Sequence, residues 1–247
     1  VIIGVANVST LVSGQEVYEM SLLVNRQLRD HVAPAWGLLP PSVLYMPNGA
    51  QGQHMDAIIT VFDDADQAGD LGYHTEGPDA DVYGRVFARP VLANGGNALT
   101  ADLSVCSVLS HECCETLGDR TCSDWAQAAS GQLTAYELCD PVEGDSYRMT
   151  ITASSGEQVT GTVSDFVLPS WFDSNAAPGP TDYMGLVTAP FQVRPTGYSI
   201  VMSGGSVTEQ FGERYPLWRL VTKEHPTSRT ARRDPSVIPA MNPTSLA

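Results

Sequence analysis

The chain opens on Val1-Ile2-Ile3-Gly4-Val5, a short β-branched run that suits a buried strand better than a helix. The period then changes. Ser13 followed by Glu16 forms a capping box, and Val17, Met20, Val24 and Leu28 recur at helical spacing until Pro34, which predicts a helix over residues 14–32. Three strands are expected next, at Ser42–Met46, Ala57–Phe62 and Val82–Arg89, separated by connections rich in Gly, Asn and Asp. From Ala101 to Leu117 no Pro or Gly interrupts the chain, and Gly118 stands where a left-handed helix C-terminus would want it, so a second main helix is expected there. Strand patterns return at Thr134–Cys139, Met149–Thr152 and Val159–Phe166, then, after a Pro-rich stretch through Trp171 and Phe172, at Phe191–Val193, Tyr198–Met202 and Val207–Phe211. From Pro226 hydrophobicity is low and prolines recur, which predicts an extended tail.

This order of elements makes the fold class α/β (α+β): one unit over residues 1–212, with a helix-bearing N-terminal part to about residue 120 and a β-rich part over 121–212, followed by a basic, proline-containing extension over 213–247. No run approaches the eighteen or so apolar residues of a membrane span, and the N-terminus lacks the basic-then-apolar pattern of a signal peptide, so a soluble protein is expected. A formal charge of −15 with a single lysine, Lys223, argues against nucleic-acid or anionic-membrane partners. Positive charge gathers late, at Arg214, Arg219, Lys223, Arg229, Arg232 and Arg233; that segment either docks on an acidic partner, a second copy included, or simply offsets the charge of its own chain.

Cys106, Cys113, Cys114, Cys122 and Cys139 are an odd-numbered set without paired CxxC spacings, which suits buried small apolar residues better than a disulfide framework or a thiolate zinc site. The loop with Asp63, Asp64, Asp66 and Asp70 ahead of Gly72-Tyr73-His74 lacks the spacing of an EF-hand and reads as solvated.

The chemistry concentrates in Ser110-His111-Glu112-Cys113-Cys114-Glu115-Thr116-Leu117-Gly118-Asp119. Residues four apart on a helix share a face, so His111 and Glu115 can ligate one metal ion. Glu112 lies about 100° round the helix, where it can reach a metal-bound water without being a ligand. Zinc lowers the pKa of such a water toward neutrality and a nearby carboxylate takes its proton, the logic of HExxH zinc peptidases with Glu in place of the second His. That Glu reduces the Lewis acidity of the ion and leaves calcium, or no metal, as alternatives to zinc. A break at Gly118 would let the chain turn back and bring Asp119 to the ion as third ligand. Glu137 and Asp140 either complete a metal shell or hold a second ion, or else are an exposed strand residue and a turn initiator before Pro141. His74 and Asp165 are candidates for orienting a ligand. Tyr147, Phe166, Trp171, Phe172 and Tyr183 either wall a cleft or pack the core.

Several ordered blocks carry a family resemblance: Arg29-Asp30 with Pro34-Ala35-Trp36-Gly37, Gly72-Tyr73-His74, Ser110-His111-Glu112 with Glu115 and Asp119, Glu137-Leu138-Cys139-Asp140-Pro141, and Val163-Ser164-Asp165-Phe166. Over about residues 12–200 the chain resembles an uncharacterised zincin-like, metallopeptidase-like family with an HExxE motif, found in bacteria and tailed bacteriophages. The chain departs from that family after Asp119, where Arg120-Thr121-Cys122 replaces the usual Pro and Gly-Asn-Arg turn. The resemblance implies a zincin-like mixed sheet, a motif-bearing active-site helix, and residence in bacterial cytoplasm or a phage particle.

Two functions follow as expectations. The first is a zinc-dependent hydrolase, most naturally a peptidase, with metal on His111, Glu115 and Asp119, Glu112 as general base, and an extended peptide held between the motif helix and an edge strand at Val82–Arg89. The second is a non-catalytic structural or assembly protein of a phage particle, bound to neighbouring subunits or to its own copies through the basic tail. No Walker, Rossmann or nucleophile-elbow pattern points to a nucleotide cofactor or a serine hydrolase.

Overall fold

The computed structural model describes residues 1–47, 54–66, 69–77 and 81–220. Lys223, Arg229, Arg232 and Arg233, and the tail expected from Pro226, lie outside the described residues.

The architecture is mixed α+β. Strand β1 (Ile2–Asn7) leads into helix α1 (Gly14–Gln27), whose N-terminus is held by the Ser13–Glu16 capping box. Pro34 does not stop this helix. A π-turn at Leu28–Val32, in which Ala33 N–H donates to the Leu28 carbonyl, leads directly into α2 (Ala33–Trp36), so Pro34 falls where the wider turn gives way to α-helix. Gly37 then ends the segment in the left-handed conformation.

Strands β2 (Ser42–Met46), β3 (Ala57–Phe62), β4 (Gly72–Glu76) and β5 (Val82–Phe87) join β1 in a five-stranded sheet of order β2-β1-β3-β5-β4. All pairs are parallel except β4–β5. The expectation of an edge strand at Val82–Arg89 is therefore corrected. β5 is interior, and the edge is β4, in a stretch expected to be loop because Tyr73, His74 and Thr75 are all buried instead of alternating.

Helices α3 (Ala88–Ala93) and α4 (Val105–Gly118) follow, the latter starting four residues later than expected because the Ser104 side chain accepts from Ser107 N–H and caps it. Short strands β6 (Trp125–Gln127) and β7 (Leu133–Ala135) lead to a hairpin of β8 (Ser146–Thr152) and β9 (Gln158–Ser164). Strands β10 (Tyr198–Ser203) and β11 (Ser206–Phe211) complete a second sheet, β11-β10-β7-β6. The segment expected as a strand at Phe191–Val193 is irregular.

Helices α1 and α4 lie between the first sheet and the β8–β9 hairpin, and one core runs through all three layers: Ile3, Val5 and Ile59 from the sheet, Met20 and Leu109 from the helices, Val163 from the hairpin. Every residue of α4 from Val105 to Leu117 is buried. A helix enclosed all round must satisfy its own polar groups. Ser110 Oγ–H donates to Gln27 Oε1 (2.6 Å) and accepts from Ser164 N–H (2.9 Å), while Gln27 Nε2–H donates to the Ser164 carbonyl (2.8 Å), so one polar thread ties α1, α4 and β9.

All five cysteines are buried. Phe166 and Trp171 are wholly buried and Phe172 nearly so, which places them in the core; Tyr183 stacks on Phe166 at the surface. The acidic loop is tied to its own chain: Asp63 accepts from Ser9, Thr10 and Leu11, Asp64 pairs with Arg89, and Asp66 accepts from Tyr73 and Arg85. Among the described residues no helix is long and apolar enough to cross a membrane.

Candidate metal centre

Helix α4 and strand β4 face each other across a cleft whose floor is acidic. Position 111 and position 115 share a helical face as their spacing requires, and His111 Nε2 lies 3.2 Å from Glu115 Oε1. It lies 3.1 Å from Asp140 Oδ1, carried by a 3-10 turn at Asp140–Val142. Glu115 Oε1 also accepts from the backbone N–H groups of Cys139 (3.2 Å) and Asp140 (3.3 Å), so the helix carboxylate holds the loop that supplies its neighbour.

The other side of Glu115 faces β4. His74 Nδ1 lies 3.7 Å from Glu115 Oε2 and 3.7 Å from Glu112 Oε2, while His74 Nε2–H donates to the Asp119 carbonyl (3.0 Å). That bond fixes which ring nitrogen turns to the carboxylates. Gly72 makes the close approach possible, since a Cβ there would sit 2.7 Å from Glu112 Oε1 and 2.8 Å from the Arg85 carbonyl oxygen.

Burial and charge oppose each other here. His74, His111, Glu112, Glu115, Glu137 and Asp140 are all less than a tenth exposed. Burial alone would lower the pKa of His111, but Glu115, Asp140 and Glu112 outweigh it and hold the group well above the ordinary histidine value. Burial likewise opposes the charge on His74, and Cys122, Glu112 and Glu137 overcome it. Glu115 is raised by burial, with His111 pulling it back. Burial, then Glu115, pushes Asp140 up to about 7. Four carboxyl groups surround two imidazoles, and Glu112 Oε2 has no hydrogen-bond partner.

Such a donor set fits a cation. Donors about 2.0–2.1 Å from a tetrahedral ion lie about 3.3 Å from one another, close to the separation of His111 from Glu115. Among the described residues two groups can hold a metal, His111–Glu115–Cys139 and His74–Glu115–Glu137, with the ligand atoms of each within 4.8 Å of one another. Both contain Glu115.

Of the residues expected to ligate, His111 and Glu115 come together and Asp119 belongs to neither group. The Asp119 carboxylate accepts from Ser123 N–H (3.2 Å) and Asp124 N–H (2.9 Å), capping the turn that follows α4. The chain does not turn back at Gly118 in a left-handed conformation either. Gly118 is the last helical residue, and its lack of a side chain makes room for Leu138, whose Cδ1 would lie 2.3 Å from an added Cβ. Asp140 lies beside His111, but like Asp119 it belongs to neither group. Glu137 and Asp140, for which the sequence left a metal shell, a second ion, or an exposed strand residue and a turn open, are both buried, and the Asp-Pro step that marks a turn there also aims Asp140 at His111. Asp165 does not touch His111, Glu112 or Glu115. Its carboxyl accepts from Phe166 N–H and Met184 N–H and faces Asp182.

Arg219 closes the cleft from the C-terminal side. It is buried, forms an ion pair with Glu143, donates Nε–H to the Gly69 carbonyl (3.2 Å), and lies over the rings of Tyr215 (5.6 Å) and Trp218 (5.9 Å). Trp218, partly buried against the core, is the sequence signal that this part of the expected extension packs against the body, while Leu217 is exposed.

No protein-family model, curated protein or solved structure matches this chain.

Proposed function

We propose that the protein is a metal-dependent hydrolase of peptide bonds, with a zincin-like placement of helix and edge strand and zinc as its ion. The observation that carries this reading is His111 Nε2 set 3.2 Å from Glu115 and 3.1 Å from Asp140 at the base of a cleft walled by β4. His111 and Glu115 would hold the ion, with Cys139 as the third donor of their group and Asp140 hydrogen-bonded to His111 Nε2. When bound, zinc supplies Lewis-acid polarisation of a carbonyl and lowers the pKa of water.

The remaining work falls to the chain. Glu112 sits one residue along α4 from His111, buried, with Oε2 unbonded, which suits a group that takes a proton from water and returns it to a leaving amine. His74 faces Glu112 from β4 and limits where its carboxylate can go. Leu71 and Val108 line the cleft and exclude water from the reacting groups. Among the described residues β4 is the edge strand of its sheet, beside which an extended peptide would add by strand pairing.

The non-catalytic assembly reading is favoured by one observation: Arg219 occupies part of the cleft lining from within the chain. Elemental mass spectrometry on untagged protein, with hydrolysis of a denatured protein substrate, separates the two. The hydrolase reading expects zinc in the wild type, its loss in His111→Ala, and retained zinc with lost hydrolysis in Glu112→Gln. A folded wild type that takes up no zinc overturns it.

A further inference from the structure

We propose that the cleft holds a second divalent cation, on His74, Glu115 and Glu137, with Glu115 bridging the two ions. The inference rests on the proposed metal position at His111, because the two positions share Glu115.

The two oxygens of Glu115 are turned to different partners. Oε1 faces His111 Nε2 at 3.2 Å, and Oε2 faces His74 Nδ1 at 3.7 Å. A carboxylate that serves one ion and hydrogen-bonds to the scaffold needs one imidazole beside it; this one has two, from elements on opposite walls of the cleft. The His74 ring is fixed for the task. Its Nε2–H is committed to the Asp119 carbonyl, so Nδ1 points at the carboxylates, the arrangement in which a protein donor on the far nitrogen orients a ligating histidine. Glu137 completes a group of three buried donors within 4.8 Å of one another.

An independent observation points to a cation there. Glu112 Oε2 is on the same side, 96% buried by its 4% exposure, faces His74 Nδ1 at 3.7 Å, and has no hydrogen-bond partner. A carboxylate oxygen buried without a hydrogen bond is costly, and a divalent cation beside it offsets that cost. The donors are one imidazole and carboxylates, which suits Mn²⁺ or Zn²⁺ and disfavours the softer ions that seek thiolate. Two ions bridged by one carboxylate in a buried cleft form the kind of pair that clamps both oxygens of a displacement.

The competing account makes His74 an imidazolium that neutralises Glu112 and Glu115 by itself. Metal stoichiometry decides. Metal-free wild type, His74→Gln, Glu137→Gln and His111→Ala are each loaded with Zn²⁺ and, separately, Mn²⁺, then dialysed and assayed for bound metal, with electron paramagnetic resonance on the manganese samples. Two ions per wild-type chain with a spin-coupled manganese signal are expected, falling to one ion and an uncoupled signal in His74→Gln. Glu137→Gln gives the same result and stands in if His74→Gln does not fold. A wild type with one ion that is lost in His111→Ala and unchanged in His74→Gln and Glu137→Gln overturns the second position and leaves the hydrolase reading intact. Two ions in all three of wild type, His74→Gln and Glu137→Gln overturn it as well. A wild type with no ion removes the hydrolase reading, and the second position with it.

Discussion

The residues before Gly118 and those after it reach the same cleft by different means. His74 is placed by the β4–β5 ladder, and His111, Glu112 and Glu115 by one helix, so their positions follow from hydrogen-bond periodicities that many residues share. Glu137 and Asp140 come from irregular chain, and the N–H groups that fix this segment donate to Glu115 itself. In the first region the scaffold holds the ligand. In the second the ligand holds the scaffold, and buried Asp side chains recur as the means: Asp119 caps the turn after α4, and Asp182 accepts from Leu186 N–H and Val187 N–H. A site built this way takes its aim from the periodic half and its closure from the loops.

The largest expected effect probes the periodic half alone. Glu112→Gln changes one atom on a rigid helix, and hydrolysis should fall by roughly 10²–10⁴-fold with an unchanged urea midpoint. A large drop in stability instead would mean that the helix depends on its carboxylates as the loops do. Next comes the seam. Leu138→Ala should cost about 2–5 kcal/mol in urea unfolding, because Leu138 is fully buried against Gly118. Gly118→Ala should also destabilise by overpacking, by about 1–3 kcal/mol. The double variant should lose less than the sum, and strict additivity would show that the two halves do not meet there.

A smaller effect belongs to the loops. Burial, then Asp182, pushes the Asp165 carboxyl up to about 8; Tyr147, Tyr183 and Arg194 are the other ionisable groups that feel its charge. A raised carboxyl pKa means that the native state holds the proton more tightly than the unfolded chain. Its stabilising contribution is complete below about pH 4 and is lost as pH rises through about 8. Asp165→Asn keeps an acceptor for Phe166 and Met184 and cannot ionise, so it should flatten stability between those limits and stabilise the protein at pH 8 by on the order of 1–3 kcal/mol. An unchanged slope would place the titration elsewhere. The smallest effect tests the helix start. Ser104→Ala removes the cap of α4 and should cost about 1 kcal/mol, with metal content unaltered.

What was legible in the sequence divides along the same seam. The parallel strands and both main helices were readable because buried β-branched runs and capping residues are local signals, and His111 with Glu115 followed from the helical repeat. β4 was hidden because a strand buried on both faces carries no alternation, and Gly72-Tyr73-His74 sits in Asp-rich chain. That Asp140 rather than Asp119 reaches His111 was not readable, since it depends on where the Cys139 and Asp140 N–H groups find an acceptor across the fold. The Gln27–Ser110–Ser164 thread had no local signature at all, because its partners are separated by 54 to 137 positions.

The π-turn at Leu28–Val32 fixes a quantity other than residue identity. An extra residue in one helical turn rotates everything after it by about 100°, and in this rotated frame the Trp36 indole N–H reaches the Val167 carbonyl (3.1 Å) while its ring meets Tyr136 and Phe172. Straightening this turn into regular α-helix at constant length would swing Trp36 about 100° away from these partners. The geometry of this one turn, on which Arg29 and Asp30 are exposed, therefore sets which way Trp36 faces.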